Sequence, residues 1–428
     1  NPKEYNGYKA YWTDGSQVTA PHDRNIIAEV EKITSIDQIL TGANPGNITL
    51  LGEEFDEIYL NKVHTLSLSP ESVGKFHDMK IAYTPLHGAG VRLVPASLRK
   101  WGFTNVSLVE EQAVIDGNFP TVESPNPEER KTMAKAIELG SRLGADLVLA
   151  TDPDSDRIGV ALRNAKGEYV LLNGNQTLSL IMAYQLTRWS ELGRLDGKEF
   201  VVKTIVTSQM PNVMAAHFGV KCYDCLTGFK YIARIIRNNE GKATYIGGGE
   251  ESFGYLAGDF VRDKDAVSAC SLVAEAAAWT RDTMGLTLYE WLQKLYVEFG
   301  FFREGLVSVV RKGMEGAAEI QQMMVDYRAD PPREIAGSPV VKINDFKLLE
   351  STDVRTGAKT PIEEEASNVL QWFAADGTVV SVRPSGTEPK IKFYFGVRAE
   401  LESVADFDRV EVGLDAKIET IKKELKLV

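Results

Sequence analysis

Leu147-Val148-Leu149-Ala150-Thr151-Asp152-Pro153-Asp154-Ser155-Asp156-Arg157 is an apolar run of strand length that breaks into three alternating aspartates. A short apolar run that ends in turn residues reads as a buried strand. Beyond it, Asp152, Asp154 and Asp156 lie on an extended loop and can converge on one point. Two carboxylates about 4 Å apart repel by roughly 4 kcal/mol at an effective dielectric of about 20. Three of them call for a cation, and Mg²⁺ suits hard oxygen ligands. Taken alone, the loop is equally readable as a solvated acidic turn. An EF-hand fails, because the positions that need Gly and Glu hold Arg157 and Arg163. A phosphatase with an aspartate nucleophile would use Asp152 and Asp154 but would carry Thr or Val where Asp156 stands.

Working outward, Lys80 to Thr84 reads as a strand, the stretch to Trp101-Gly102 as a helix, and Val106 to Val109 as a second strand. Asn126 reads as a helix N-cap with Pro127 at the first helical position, so a helix is expected from there to about Leu143. The pattern recurs with Phe200 to Thr204, Pro211 to Phe218, Val220 to Tyr223, Gly228 to Asn238 and Thr244 to Ile246. Trp101-Gly102 and Phe218-Gly219 end helices at matching points. Such alternation predicts two related α/β domains whose polar loops sit at strand C-termini, with a boundary at the turn cluster Asn173-Gly174-Asn175. From about Phe302 an acidic segment ends in strands Thr378 to Arg383 and Ile391 to Val397, which reads as an α+β domain.

Two further loops carry polar chemistry. Gly247-Gly248-Gly249-Glu250-Glu251-Ser252-Phe253-Gly254 reads as a glycine-rich loop that lets backbone approach a ligand, with Glu250 and Ser252 suited to sugar hydroxyls. A plain glycine turn is the alternative. Arg383-Pro384-Ser385-Gly386-Thr387 joins a guanidinium, two hydroxyls and a freed backbone, with Lys390 and Lys392 beyond, as a phosphate cradle would, a structural turn being the alternative. Cys222 and Cys225 have the spacing of half a zinc site but lack a second pair, so they read as core cysteines. His87 follows a strand and suits either a cleft or a structural role. The sequons at Asn47, Asn105 and Asn175 carry no weight without secretion.

With 428 residues and a formal net charge of -12, the chain is too long for one core and unsuited to general nucleic-acid or anionic-membrane binding. Three cysteines and the lack of an apolar leader fit a reduced, cytoplasmic setting. Nothing in the sequence sets an oligomeric state. The chain opens on Asn1-Pro2 and Tyr5-Asn6-Gly7-Tyr8-Lys9, which reads like the middle of a motif and suggests truncation.

These segments, in this order, resemble the α-D-phosphohexomutases, most closely the phosphoglucomutase and phosphopentomutase branch. That family's phosphoserine motif reads Thr-Ala-Ser-His-Asn-Pro, so Asn1-Pro2 matches its end and the nucleophilic Ser would lie two residues upstream. The resemblance implies three related mixed-sheet α/β domains and a C-terminal α+β domain around a central cleft. Residues 1–62 would be the remainder of the first domain, 63–173 the second, 174–303 the third and 304–428 the fourth. It implies Mg²⁺ on Asp152, Asp154 and Asp156, and substrate contacts from Arg157, Thr227, Gly228, Lys230, Glu250 and Ser252. Phosphate would rest on Arg383, Ser385, Gly386, Thr387 and Lys392, while Lys9 and Lys264 resemble catalytic lysines. The implied reaction interconverts a sugar 1-phosphate with the 6-phosphate, or a pentose 5-phosphate, through a phosphoserine and a bisphosphate primed by glucose 1,6-bisphosphate. Phosphopentomutase or phosphomannomutase activity, or a non-catalytic sugar-phosphate-binding remnant, are the alternatives, and a chain without the serine is expected to be inactive alone.

Overall fold

The computed structural model describes residues 8–42, 44–311, 313–385 and 389–427. The opening Asn1-Pro2 and Tyr5-Asn6-Gly7, and Gly386 and Thr387 of the Arg383 turn, lie outside the described residues. The chain divides into two compact units: residues up to Lys203 with Ala215–Tyr223 and Gly228–Glu290, and Thr204–Met214, Asp224–Thr227 and the remainder from Trp291.

Among the described residues, the α-helices α1 (His22–Val30), α2 (Glu53–His64) and α3 (Pro70–Lys75) precede the first sheet. There follow β1 (Ile81–Thr84), α4 (Gly90–Trp101), β2 (Val106–Leu108), α5 (Ala134–Leu143), β3 (Leu147–Thr151), β4 (Ile158–Arg163) and β5 (Tyr169–Leu171). The strand order is β2-β1-β3-β4-β5. β1 runs parallel to β2 and β3, whereas β3, β4 and β5 form an antiparallel meander. All five residues of β3 are buried, as its unbroken apolar run requires. Gly102 stops α4 by taking φ of 117°, a conformation open to glycine without a Cβ penalty.

The helix expected from Pro127 begins seven residues later, at Ala134. Asn126 does cap backbone, its Oδ1 accepting from Glu128 N at 3.2 Å. The chain then bends instead of coiling, since Thr132 Oγ1 donates to Ser124 O at 2.8 Å.

The second sheet repeats the plan. After α6 (Gly174–Glu191) come β6 (Glu199–Thr204), α7 (Met210–His217), β7 (Lys221–Cys225), α8 (Phe229–Asn239), β8 (Thr244–Gly249), β9 (Tyr255–Ala257) and the buried α9 (Ala266–Met284). The order is β7-β6-β8-β9, with β6 and β8 parallel and β8 and β9 antiparallel. In both sheets a strand of the parallel set turns into an antiparallel neighbour through a short acidic loop, Asp152–Arg157 in one and Glu250–Gly254 in the other. Gly247, Gly248 and Gly249 belong to β8 rather than to that loop, which corrects the sequence reading. Their role is packing: a Cβ on Gly248 would sit 2.1 Å from Val202 O.

After α10 (Leu288–Phe299), which starts in the first unit, β10 (Phe301–Val310) and α11 (Gly313–Ala329) of the second unit lead into β11 (Glu334–Ile335), β12 (Ser338–Asp345), β13 (Glu350–Asp353) and β14 (Lys359–Pro361). β15 (Leu370–Ala374), β16 (Val379–Pro384), β17 (Lys390–Ala399) and α12 (Phe407–Glu424) complete it. The sheet is antiparallel in the order β10-β17-β16-β15-β12-β13-β14, with β11 beside β12. The α/β and α+β classes match expectation, although the sequence reading found only the last two strands. β13 hid because it has no buried face: all four of its residues are half-buried.

Candidate active site

Asp152 follows β3 and organises its own loop. Its Oδ1 accepts the N–H groups of Asp156 at 3.1 Å and Arg157 at 2.9 Å, and its carbonyl accepts Ser155 N at 3.0 Å. Ser155 turns the chain through a positive φ of 57°. This geometry gathers Asp152, Asp154 and Asp156 so that one carboxylate oxygen of each lies within 4.8 Å of the others. Burial, then the charges of Asp156 and Asp154, push the Asp152 carboxyl up to about 8. Burial also opposes the charge on Asp156, but Lys264 and Lys9 beside it prevail and hold it below the usual carboxylate range. Lys9 Nζ stands 2.9 Å from Asp156 and 3.8 Å from Asp154, and Lys264 Nζ stands 3.0 Å from Asp156. An all-oxygen, crowded and partly buried carboxylate set fits a hard divalent cation.

The Glu250 loop is joined to this one by backbone. Arg157 and Gly254 form an antiparallel bridge, and Ile158 N donates to Phe253 O at 3.0 Å. Glu250 Oε1 accepts Gly228 N at 2.8 Å, and burial, then Glu251, push its carboxyl up to about 7. Ser252 is half-buried at the turn. Gly254 is what lets Lys264 through, because a Cβ there would lie 2.1 Å from Lys264 Cδ. Lys264 is buried, which works against its charge, yet Asp156, Asp263 and Glu250 raise its ammonium above the ordinary value.

Three neighbours escaped the sequence reading. Asp263 Oδ1 accepts Lys264 N at 2.8 Å, and its other oxygen receives the Tyr11 hydroxyl. Glu128, two residues past the Asn126 cap, lies 3.4 Å from Arg157 Nη1. The quartet Arg262 to Asp265 was a signal for Asp263; Tyr11 had only its nearness to Lys9.

Lys230 pairs with Asp23 at 3.5 Å, and Thr227 Oγ1 is buried without a hydrogen-bond partner among the described residues. In the second unit, Arg383 faces Lys392 across β16 and β17, and Ser385 N donates to Lys390 O at 2.8 Å. Cys222 and Cys225 are thiols outside any clustered ligand set among the described residues.

Models of the phosphoglucomutase/phosphomannomutase family match three stretches: its alpha/beta/alpha domain II over residues 57–167, domain III over 173–299 and its C-terminal domain over 341–412. A phosphoglucomutase of Staphylococcus aureus strain MRSA252 is 33% identical over 422 residues, covering 98% of this chain and 74% of that protein. The chain belongs to the phosphoglucomutase/phosphomannomutase family. The phosphoglucomutase of strain N315 is 34% identical over the same span. The fold agrees with two crystal structures. The exocytosis-sensitive phosphoprotein pp63/parafusin, a phosphoglucomutase of Paramecium in its open form, gives a TM-score of 0.59 at 16% identity over 92% of this chain and 68% of that one. A phosphoglucomutase/phosphomannomutase family protein of Burkholderia thailandensis gives 0.53 at 17% identity over 84% of this chain, which spans 65% of that structure's length. The family is one of isomerases. No helix among the described residues is long and apolar enough to cross a membrane.

Proposed function

We propose that the protein interconverts glucose 1-phosphate and glucose 6-phosphate by phosphoglucomutase-type transfer through a phosphoserine. The observation that supports this most is the meeting of three carboxylates, Lys9 and Lys264 beside the Glu250 loop. Mg²⁺ held by Asp152, Asp154 and Asp156 would neutralise charge on the transferring phosphoryl group. Lys264 and Lys9 would move the proton at the sugar oxygen, while Arg157 would sit against the same phosphate. Glu250, with one oxygen engaged by Gly228 N, would offer the other to a sugar hydroxyl beside Ser252, and Thr227 and Lys230 would line the substrate path. The distal phosphate would rest on Arg383, Ser385, Gly386, Thr387 and Lys392. The nucleophile would be the serine that the family motif puts two residues before Asn1, in a four-domain organisation to which residues 1–62 contribute part of the first domain.

The test uses protein that carries the complete phosphoserine motif, with Mg²⁺ and glucose 1,6-bisphosphate. Glucose 1-phosphate is expected to turn over faster than ribose 1-phosphate, and the reverse order would make a pentose the substrate. The 428-residue chain by itself is expected to bind sugar phosphate weakly without turnover, and measurable mutase activity from it would overturn that part.

A further inference from the structure

The connection from β1 to α4 supports the aspartate loop from behind, through strained backbone. Leu86 and His87 are consecutive non-glycine residues with φ of 46° and 63°. Side-chain-bearing residues hold that conformation only where their surroundings fix it. Here a polar chain does so. The His87 Nδ1 lies 2.9 Å from Val114 O and its Nε2 lies 2.8 Å from Thr121 Oγ1. A carbonyl only accepts, so Nδ1 carries the proton, and a neutral ring then accepts at Nε2 from Thr121. Gln112 Nε2 then donates to Thr121 Oγ1 at 2.9 Å, and Gln112 Oε1 accepts Thr84 Oγ1 at 2.7 Å. Every group in the chain is satisfied in one direction, and the ring is almost wholly buried.

What this clamp presses against is Pro153, between two of the aspartates. Ala89 N donates to Pro153 O at 2.8 Å. Gly88 packs so closely that a Cβ would lie 2.2 Å from Pro153 Cα. The bond to Pro153 O sets the peptide plane between Pro153 and Asp154, and so the direction in which Asp154 leaves the backbone.

We propose that His87 is a positioning residue for the carboxylate triad: its ring holds Leu86 to Ala89 against Pro153, and that contact presets the aspartates for a divalent cation. The inference rests on the metal reading given above. It needs no turnover to test. Mn²⁺ is titrated into the 428-residue chain at low temperature, with free ion followed by electron paramagnetic resonance and Asp156→Ala marking binding at the triad. Thr121→Val, which keeps ring and volume, and His87→Ala are expected to weaken Mn²⁺ by about tenfold or more, the range seen when groups that orient metal ligands are lost. His87→Asn, which tolerates positive φ, is expected to recover part of the loss. A purely structural His87 would lower the melting temperature and leave the affinity of the folded protein unchanged. Folded Thr121→Val protein that binds Mn²⁺ like the wild type overturns this proposal alone, and it decides the matter if His87→Ala does not fold. Wild-type protein without Asp156-dependent binding overturns the metal reading and this one together.

Discussion

At the residue scale, Gly254 and Lys264 form a pair in which the smaller member decides what the larger can do. The Lys264 stem occupies the space that any Cβ at position 254 would fill. Gly254→Ala is therefore expected to keep the fold, since the clash is with a flexible side chain, while pulling the ammonium off Asp156. Steady-state kinetics of the active, motif-complete protein should show kcat falling at least tenfold with melting nearly unchanged, because the proton donor proposed at Lys264 would contribute about 10²-fold or more. Glu250 yields a pH prediction. Its folded carboxyl titrates near 7, against 4.5 when unfolded, so its stabilising contribution is complete below about 4.5 and is lost as pH rises through 7. Glu250→Gln removes that dependence. The melting temperature of the variant relative to wild type is expected to climb between pH 5 and pH 8, and a constant difference would contradict the assignment. The sequence announced Glu250 and the three aspartates because each follows an apolar strand in a compact motif. Tyr11 and Asp263 were illegible as a pair, being 252 residues apart and meeting only once the sheets exist.

At the element scale, the two acidic loops were readable because β3 and β8 deliver them from buried strands. What the letters hid was where β8 stops. Three glycines resemble a loop, yet Gly247, Gly248 and Gly249 pair with Val201, Val202 and Lys203 on one side and with β9 on the other. Tertiary contact, not local propensity, extends the strand. Gly248→Ala is expected to cost about 1–3 kcal/mol or more in chemical denaturation, since its clash is with the Val202 carbonyl rather than a movable side chain. Substitution at Gly219, where a Cβ meets nothing within 4 Å, costs only its positive φ of 68° and should fall at about 1–2 kcal/mol. β13 and β14 stayed hidden for another reason: β14 is exposed throughout and β13 half-buried, so neither shows the apolar alternation that marks a strand.

At the scale of the whole molecule, the division into two units assigns the proposed ligands to different bodies. Asp152, Asp154, Asp156, Glu250 and Lys264 belong to the first, and Arg383, Ser385 and Lys392 to the second. A ligand stabilises only the body that binds it, by RT ln(1 + [L]/Kd), or about 2.7 kcal/mol at a hundredfold excess over Kd. Chains of several domains commonly depart from a single two-state transition. Scanning calorimetry of the 428-residue chain is thus expected to show two transitions, only one of which rises with Mn²⁺. The rise should be several degrees, since each kcal/mol moves a domain of 150–250 residues by about 2–4 °C. Asp156→Ala should abolish the shift and leave the other transition where it was. A single transition that moves as a whole would overturn the expectation that the two units melt separately.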